Sequence, residues 1–154
     1  ISAKSLRNQG PFTNTGPIPP KADVESTYTI TWIMTNTTND LKDASVSTTL
    51  PIGVTWKGEI SPLSERISFN PETRVVSWNV GNLSSGVGFT FSPKTVSFKV
   101  GIIPSINQIS TAPVLLTETV AVAEDTYTET QIGATAIYVT TQYSDPSYKA
   151  EIIL

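Results

Sequence analysis

The stretch Thr27-Tyr28-Thr29-Ile30-Thr31-Trp32-Ile33-Met34-Thr35-Asn36 sets the reading of the whole chain. Tyr28, Ile30, Trp32 and Met34 share one parity; Thr27, Thr29, Thr31 and Thr35 share the other. Successive side chains of a strand point to opposite faces, so the pattern predicts a half-buried β-strand with a dry inner face and a hydroxyl-bearing outer one. β-Branched Thr suits a pleated surface and tolerates water. That accounts for an unusual composition. Of 154 residues, 23 are Thr and 17 are Ser, while charged residues make up only 15%.

The same period recurs on either side. Thr37-Thr38-Asn39-Asp40 reads as a turn, after which Ala44, Val46 and Leu50 alternate with Asp43, Ser45, Ser47 and Thr49. Pro51-Ile52-Gly53 breaks the run and Val54-Thr55-Trp56 opens another strand. Ile67 and Phe69 lead into Asn70-Pro71-Glu72-Thr73, a type I turn signature, with Val76, Trp78 and Val80 as the return arm of a hairpin. Val96, Phe98 and Val100 mark a further strand, and residues 116–122 and 127–132 flank Glu124-Asp125 as a second hairpin. Ile137 and Val139 belong to the last clear strand.

Eight or nine short alternating strands with no convincing helix predict an all-β fold, an Ig-like antiparallel β-sandwich. Two sheets, each with one dry face, bury those faces against each other. The expected core is Tyr28, Ile30, Trp32, Trp56, Trp78, Val80, Val96 and Phe98, with the three Trp at its centre. Prolines at 11, 17, 19 and 20 set residues 1–20 apart as an extended N-terminal strand or linker. Residues 21–142 form the sandwich, and 143–154 a C-terminal extension or linker.

The composition excludes much chemistry. There is no Cys and no His, which removes thiol redox chemistry, Cys/His zinc sites and every Ser-His-Asp device. A net charge of −3 with ten scattered Lys and Arg argues against nucleic acid, which requires a basic patch. No run of 18 apolar residues exists to span a bilayer as a helix. No signal peptide is expected, since the first ten residues lack an apolar core segment.

The order of segments resembles a known family. Asn14-Thr15-Gly16-Pro17-Ile18-Pro19-Pro20-Lys21, then Thr27 to Trp32, then Thr35-Asn36-Thr37-Thr38-Asn39-Asp40-Leu41 are similar to the conserved-repeat domain (domain of unknown function eleven) of prokaryotic cell-surface proteins. Leu50-Pro51-Ile52-Gly53-Val54-Thr55-Trp56, Phe69-Asn70-Pro71-Glu72-Thr73, Val76-Ser77-Trp78-Asn79-Val80-Gly81-Asn82-Leu83 and Val96-Ser97-Phe98-Lys99-Val100 continue the resemblance over residues 14–141. It implies an Ig-like stalk or spacer unit with no catalytic residues to carry over.

Each possible site has an ordinary reading beside it. Asp40, Asp43, Glu124 and Asp125 are the residues that could hold Ca²⁺, but that ion needs six to eight converging oxygens, and acids at strand ends are usually turn residues. Glu118 shares parity with Leu116, Val120 and Val122, which points it inward unless the strand is irregular. Tyr127, Tyr138, Tyr143, Tyr148, Phe89 and Phe91 could form a sugar platform or simply cap the packing. Asn36-Thr37-Thr38 and Asn82-Leu83-Ser84 fit the glycosylation pattern at Asn36 and Asn82.

The expected function is therefore a non-catalytic structural module of an extracellular surface protein: a stalk, an adhesin or a surface-layer repeat. The alternatives are a filament subunit assembled by terminal β-strand addition and a carbohydrate-binding module. No cofactor, metal or catalytic residue is expected. The expected partners are neighbouring domains of the same chain or identical subunits, with surface glycans as a further class and without membrane insertion. Residues Ala3 to Asn8 and Ile152 to Leu154 lack guarding prolines, so one terminus is expected to pair with an adjacent domain or subunit.

Overall fold

A computed structural model describes residues 1–142, 144–145 and 151–154. Among these residues eleven strands follow in order: β1 Ser2–Leu6, β2 Ser26–Met34, β3 Leu41–Thr49, β4 Val54–Ser61, β5 Arg66–Asn70, β6 Val75–Leu83, β7 Lys94–Ile102, β8 Val114–Leu116, β9 Thr119–Asp125, β10 Thr130–Ala136 and β11 Val139–Thr140. One turn of 3₁₀ helix, Ile106–Gln108, sits in the connection after β7. No helix among the described residues is long and apolar enough to cross a membrane.

The strands form two antiparallel sheets, ordered β1-β2-β7-β4 and β10-β9-β3-β6-β5, plus the small pair β11-β8. The first sheet reproduces the A-B-E-D arrangement of an Ig domain, and β10-β9-β3 reproduces its G-F-C arrangement. The fold is an Ig-like sandwich in which the β5–β6 hairpin extends the second sheet beyond β3. That hairpin turns where expected. Asn70 Oδ1 accepts from the N–H groups of Glu72 (2.9 Å) and Thr73 (3.3 Å), closing an Asx turn.

Between the sheets Trp32 stacks on Trp78 at 6.3 Å, and Phe98 meets Trp32 edge-on at 5.0 Å. Tyr28, Ile30, Trp32, Trp78, Val96 and Phe98 are fully buried, and Val80 nearly so. Trp56 differs from expectation. It is only half-buried, stacked on Phe69 at 5.8 Å, because β4 is an edge strand and its inner face lies over the rim of the other sheet.

The division of the chain at residue 21 also changes. β1 pairs in register with β2, Ser2 opposite Ile33 and Leu6 opposite Thr29. Residues 10–16 then fold over the outer face of β2: Thr15 N–H donates to Thr27 Oγ1 at 2.7 Å, and Asn14 Nδ2 donates to Thr29 Oγ1 at 3.0 Å. Buried Arg7 pins this cover, donating to the carbonyls of Thr15 (2.6 Å), Thr27 (2.8 Å) and Gly16 (2.7 Å). Gly16 has φ +97°, and a Cβ there would run into the Glu25 carbonyl. Hence the outer face of β2, predicted to be wet, is dry over Thr27 and Thr29.

The last described residues are equally integrated. Ile152 is buried and bridges Ile109, while Ile153 bridges Lys21. Asp145 is also buried, its carboxylate accepting from the N–H groups of Arg7, Asn8 and Gln9 at 2.8–3.2 Å. The expected pairing of a terminus with a neighbour therefore meets an internal use of both segments: each already has partners in its own domain.

Candidate functional site

The two sheets expose four edges, and the residues along each decide which can accept another strand. An open edge presents unpaired backbone N–H and C=O groups, which natural proteins blunt with charge, Pro, bulges or a cover. The β4 edge carries Lys57 and Glu59, a register shift between Trp56 and Ile60, and Gly58 at φ +78°. The β5 edge is short, begins with Arg66, and lies between Pro62 and Pro71. The β1 edge is covered: Ser5 Oγ donates to Gln142 O at 2.9 Å, and Ser144 N–H donates to Ser5 O at 2.9 Å.

The β10 edge has none of these guards. Thr130-Gln131-Ile132-Gly133-Ala134-Thr135-Ala136 contains no charge and no Pro, and it pairs with β9 over seven residues without a register shift. Six of the seven are exposed and Ala136 is half-buried. Ile132 and Ala134 stand opposite inward-facing Ala123 and Ala121, so they belong to the inner face. Yet the first sheet does not close over them, and only its rim, at Ile1 and Met34, comes near. They line instead an open slot of ≈ 160 Å³ with Ile1, Met34, Leu41 and Ala121. Exposed Val120, Tyr127, Ile137 and Tyr138 lie on or beside the same hairpin.

The hairpin turn is built by Asp125, the last residue of β9. Its Oδ1 accepts from the N–H groups of Tyr127 (2.8 Å) and Thr128 (3.1 Å), and Asn39 Nδ2 donates to Oδ2 at 3.1 Å. The Thr128 N–H is the largest of the influences that hold the Asp125 carboxyl below its usual value; burial opposes it, and Asn39 and Tyr127 add to it. The turn thus follows Asp125, two residues beyond the expected position.

The other residues singled out from sequence separate in space. Asp40 Oδ1 accepts from Ser85 N–H at 2.8 Å. Asp43, at φ +53° in a bulge of β3, shares an outer hollow with Glu124 and Glu129. Lys42 Nζ lies 3.0 Å from Glu124 Oε1, and that hydrogen bond, with the Glu124 charge, raises the lysine's pKa. The two acidic pairs are therefore not brought together as one oxygen cage. Among the described residues no cluster of three or more potential ligands is placed to hold a metal.

Asn36 is a correction. It is buried, and its Nδ2 donates to the carbonyls of Asn39 (2.8 Å), Leu83 (3.2 Å) and Ser84 (3.2 Å). A glycan on that nitrogen is incompatible with the folded loop. Asn82 is exposed on β6. Glu118 is exposed rather than inward, because it falls in the break between β8 and β9. The inward residues of β9 are Thr119, Ala121, Ala123 and Asp125.

The aromatics do not form one platform. Phe89, Phe91 and Tyr127 are exposed at the end where β2 finishes, and Tyr138 lies beyond the far end of β10. Tyr143 and Tyr148 lie outside the described residues. The unguarded β10 edge was missed by the sequence reading, although its signal is present: seven strand residues with no charge, no Pro and a central Gly.

No protein-family model matches the chain, and no curated protein matches it in sequence. Among solved structures, a variant of BcpA, the major pilin subunit of Bacillus cereus, is similar at 11% identity and TM-score 0.49, over 90% of this chain and 39% of that one. The full-length major pilin SpaD from Corynebacterium diphtheriae is similar at 12% and 0.49, over 91% of this chain and 34% of that one. The three N-terminal domains of the type V pili tip protein Mfa5 from Porphyromonas gingivalis follow at 12% and 0.46, over 68% and 22%. The chain spans well under half the length of each.

Proposed function

We propose that this chain is a non-catalytic structural module of a prokaryotic extracellular surface protein, a force-bearing spacer of the stalk, adhesin or surface-layer kind. The observation that carries the reading is that β1 and the Ile152-Ile153 segment are anchored so that they leave the sandwich at opposite ends. Ile1 lies beside Met34 and Leu41, at the end of the sandwich where β2 finishes. Ile153 is bonded to Pro20 and Ala22, next to Pro104, at the opposite end. A nine-residue strand such as β2 puts about 30 Å between those ends.

Tension between residues 1 and 154 runs along the strands. β1 would have to slide past β2, loading the whole ladder together, and the bridges of Ile152 and Ile153 would likewise be sheared. A ladder loaded in shear breaks many hydrogen bonds at once, whereas peeling breaks them singly. The N–H groups of Arg7 and Asn8, donating to the Asp145 carboxylate, add cross-ties between the two terminal segments. The resemblance to conserved-repeat surface domains agrees with this role.

Pulling single molecules tests it. Handles at residues 1 and 154 should give a higher unfolding force than handles at Asn70 and Thr135, which peel the second sheet from its edges. Equal forces along the two directions would remove the basis for a force-bearing spacer.

A further inference from the structure

The β10 edge suggests an occupant by its own sequence. In antiparallel pairing with a second β10, centred on Gly133, Ile132 of one copy stands opposite Ala134 of the other, Gln131 opposite Thr135, and Thr130 opposite Ala136. Each large inner-face side chain meets a small one, and each outer-face amide meets a hydroxyl. No charged residue occurs from 130 to 138, so the pairing sets no like charges opposite each other. Gly133 at the centre lets the two backbones approach without side-chain bulk.

We infer that this face is a homodimer interface, in which two copies join their second sheets through β10 about a two-fold axis. The proposal goes beyond the spacer reading and does not depend on it. Two further observations support it. Among the described residues the other three edges of the two sheets are bulged, flanked by Pro or covered, which leaves the β10 edge open to pair. Exposed Tyr127 and Tyr138 flank the strand at its two ends, and antiparallel pairing sets residue 138 of one copy opposite residue 128 of the other, beside its Tyr127. The pairing is isologous, so it closes at two copies and does not propagate. It would link two stalks side by side with their long axes antiparallel, leaving each long axis to bear tension.

The whole chain is tested by sedimentation and mass measurement at rising concentration. A monomer–dimer equilibrium that stops at two copies is expected. Gln131→Lys with Thr135→Lys places two lysines opposite two lysines on the outer face, and should raise the dimer dissociation constant about tenfold or more. Its circular dichroism and dilute-solution melting should stay as in the parent.

Register is tested with cysteines, since the chain has none of its own. Gln131→Cys chains mixed with Thr135→Cys chains should form a disulfide-linked heterodimer, because directly opposed strand residues fall within disulfide reach. Either variant alone should stay uncrosslinked, its two cysteines lying four residues apart along the paired strands. A chain that stays monomeric throughout, one that grows open polymers, or cysteine variants that crosslink equally well alone would each overturn the interface. The pulling experiment reads single molecules, so the spacer reading and the dimer fail or stand separately.

Discussion

Strands β2 and β10 are written in similar letters and meet opposite environments. β2 reads Ser-Thr-Tyr-Thr-Ile-Thr-Trp-Ile-Met and β10 reads Thr-Gln-Ile-Gly-Ala-Thr-Ala, both alternating hydroxyl or amide groups with apolar ones. Seven of the nine β2 residues are buried, Thr27 and Thr29 of its outer face included. None of the seven in β10 is buried. The difference lies in what surrounds them. β2 has β1 and β7 on its flanks, Trp78 beneath it and residues 10–16 above it; β10 is paired with β9 on one side and meets the first sheet only at its rim. Alternation therefore tells which way a side chain faces, while depth is set by neighbours that are distant in sequence.

The largest expected effect comes from the centre of β2. Trp32→Ala removes a ring held between Trp78 and Phe98 and leaves a cavity that close-packed neighbours cannot fill. The loss should be about 3–5 kcal/mol, read by denaturant unfolding. A loss below about 1 kcal/mol would mean that the two sheets are not closed over Trp32, and the contrast with β10 would collapse.

Next comes the cover over β2. Arg7→Met keeps much of the buried stem but removes the donors to three carbonyls, each costly to leave unpaired away from water. About 2–4 kcal/mol should be lost. Amide exchange should also quicken at Thr15 and at the ladder positions of β2 nearest it. If exchange at those sites is unchanged, residues 10–16 are not what keeps Thr27 and Thr29 dry.

These comparisons also show how much was legible in advance. The parity of β2, β6 and β7 correctly indicates which side chains face the core, because large apolar residues there occupy the inner face. β9 misleads the eye for the opposite reason. Its β-branched Val120 and Val122 lie outside, and small Ala121 and Ala123 lie inside against the slot. Size suggested one parity and packing chose the other. The bulge at Asp43 likewise resets β3 locally, so Leu41 and Ala44 are both inward though three residues apart. Trp56 has the right parity and the wrong depth: β4 is an edge strand, and the local marks of that edge, Lys57, Gly58 and Glu59, lie just beyond Val54-Thr55-Trp56. The role of Arg7 had no sequence signal, because its carbonyl partners lie 8 to 20 residues away.

The turn that carries β10 offers a pH test. The folded state holds the Asp125 carboxyl below its usual value, chiefly through the Thr128 N–H. A depressed carboxyl contributes stability that is complete above the unfolded value of about 4. That contribution fades as pH falls through the lower folded value. Asp125→Asn should therefore melt earlier than the parent at pH 7, and the two curves should converge in strong acid. A difference in melting temperature that stays constant down to pH 2 would show that the carboxylate's charge is not what the turn uses.

The smallest effect belongs to Ile132, the residue of β10 that most resembles one of β2. It has the inner parity and stands opposite Ala123, as Ile30 stands opposite Phe98. A fully buried Ile replaced by Ala costs about 2–5 kcal/mol. Ile132 is 37% exposed and borders an open slot, so its removal enlarges a groove that solvent already reaches. Little of the cavity term applies, and what remains is transfer of a partly covered side chain. Ile132→Ala should then cost about 1 kcal/mol or less in a dilute monomer, measured by denaturant unfolding. At high concentration the same substitution should weaken the dimer, because there the side chain is expected to lie against the partner's β10. A monomer loss above about 2 kcal/mol would place Ile132 inside the core, and the distinction drawn between the centre of one sheet and the edge of the other would no longer hold.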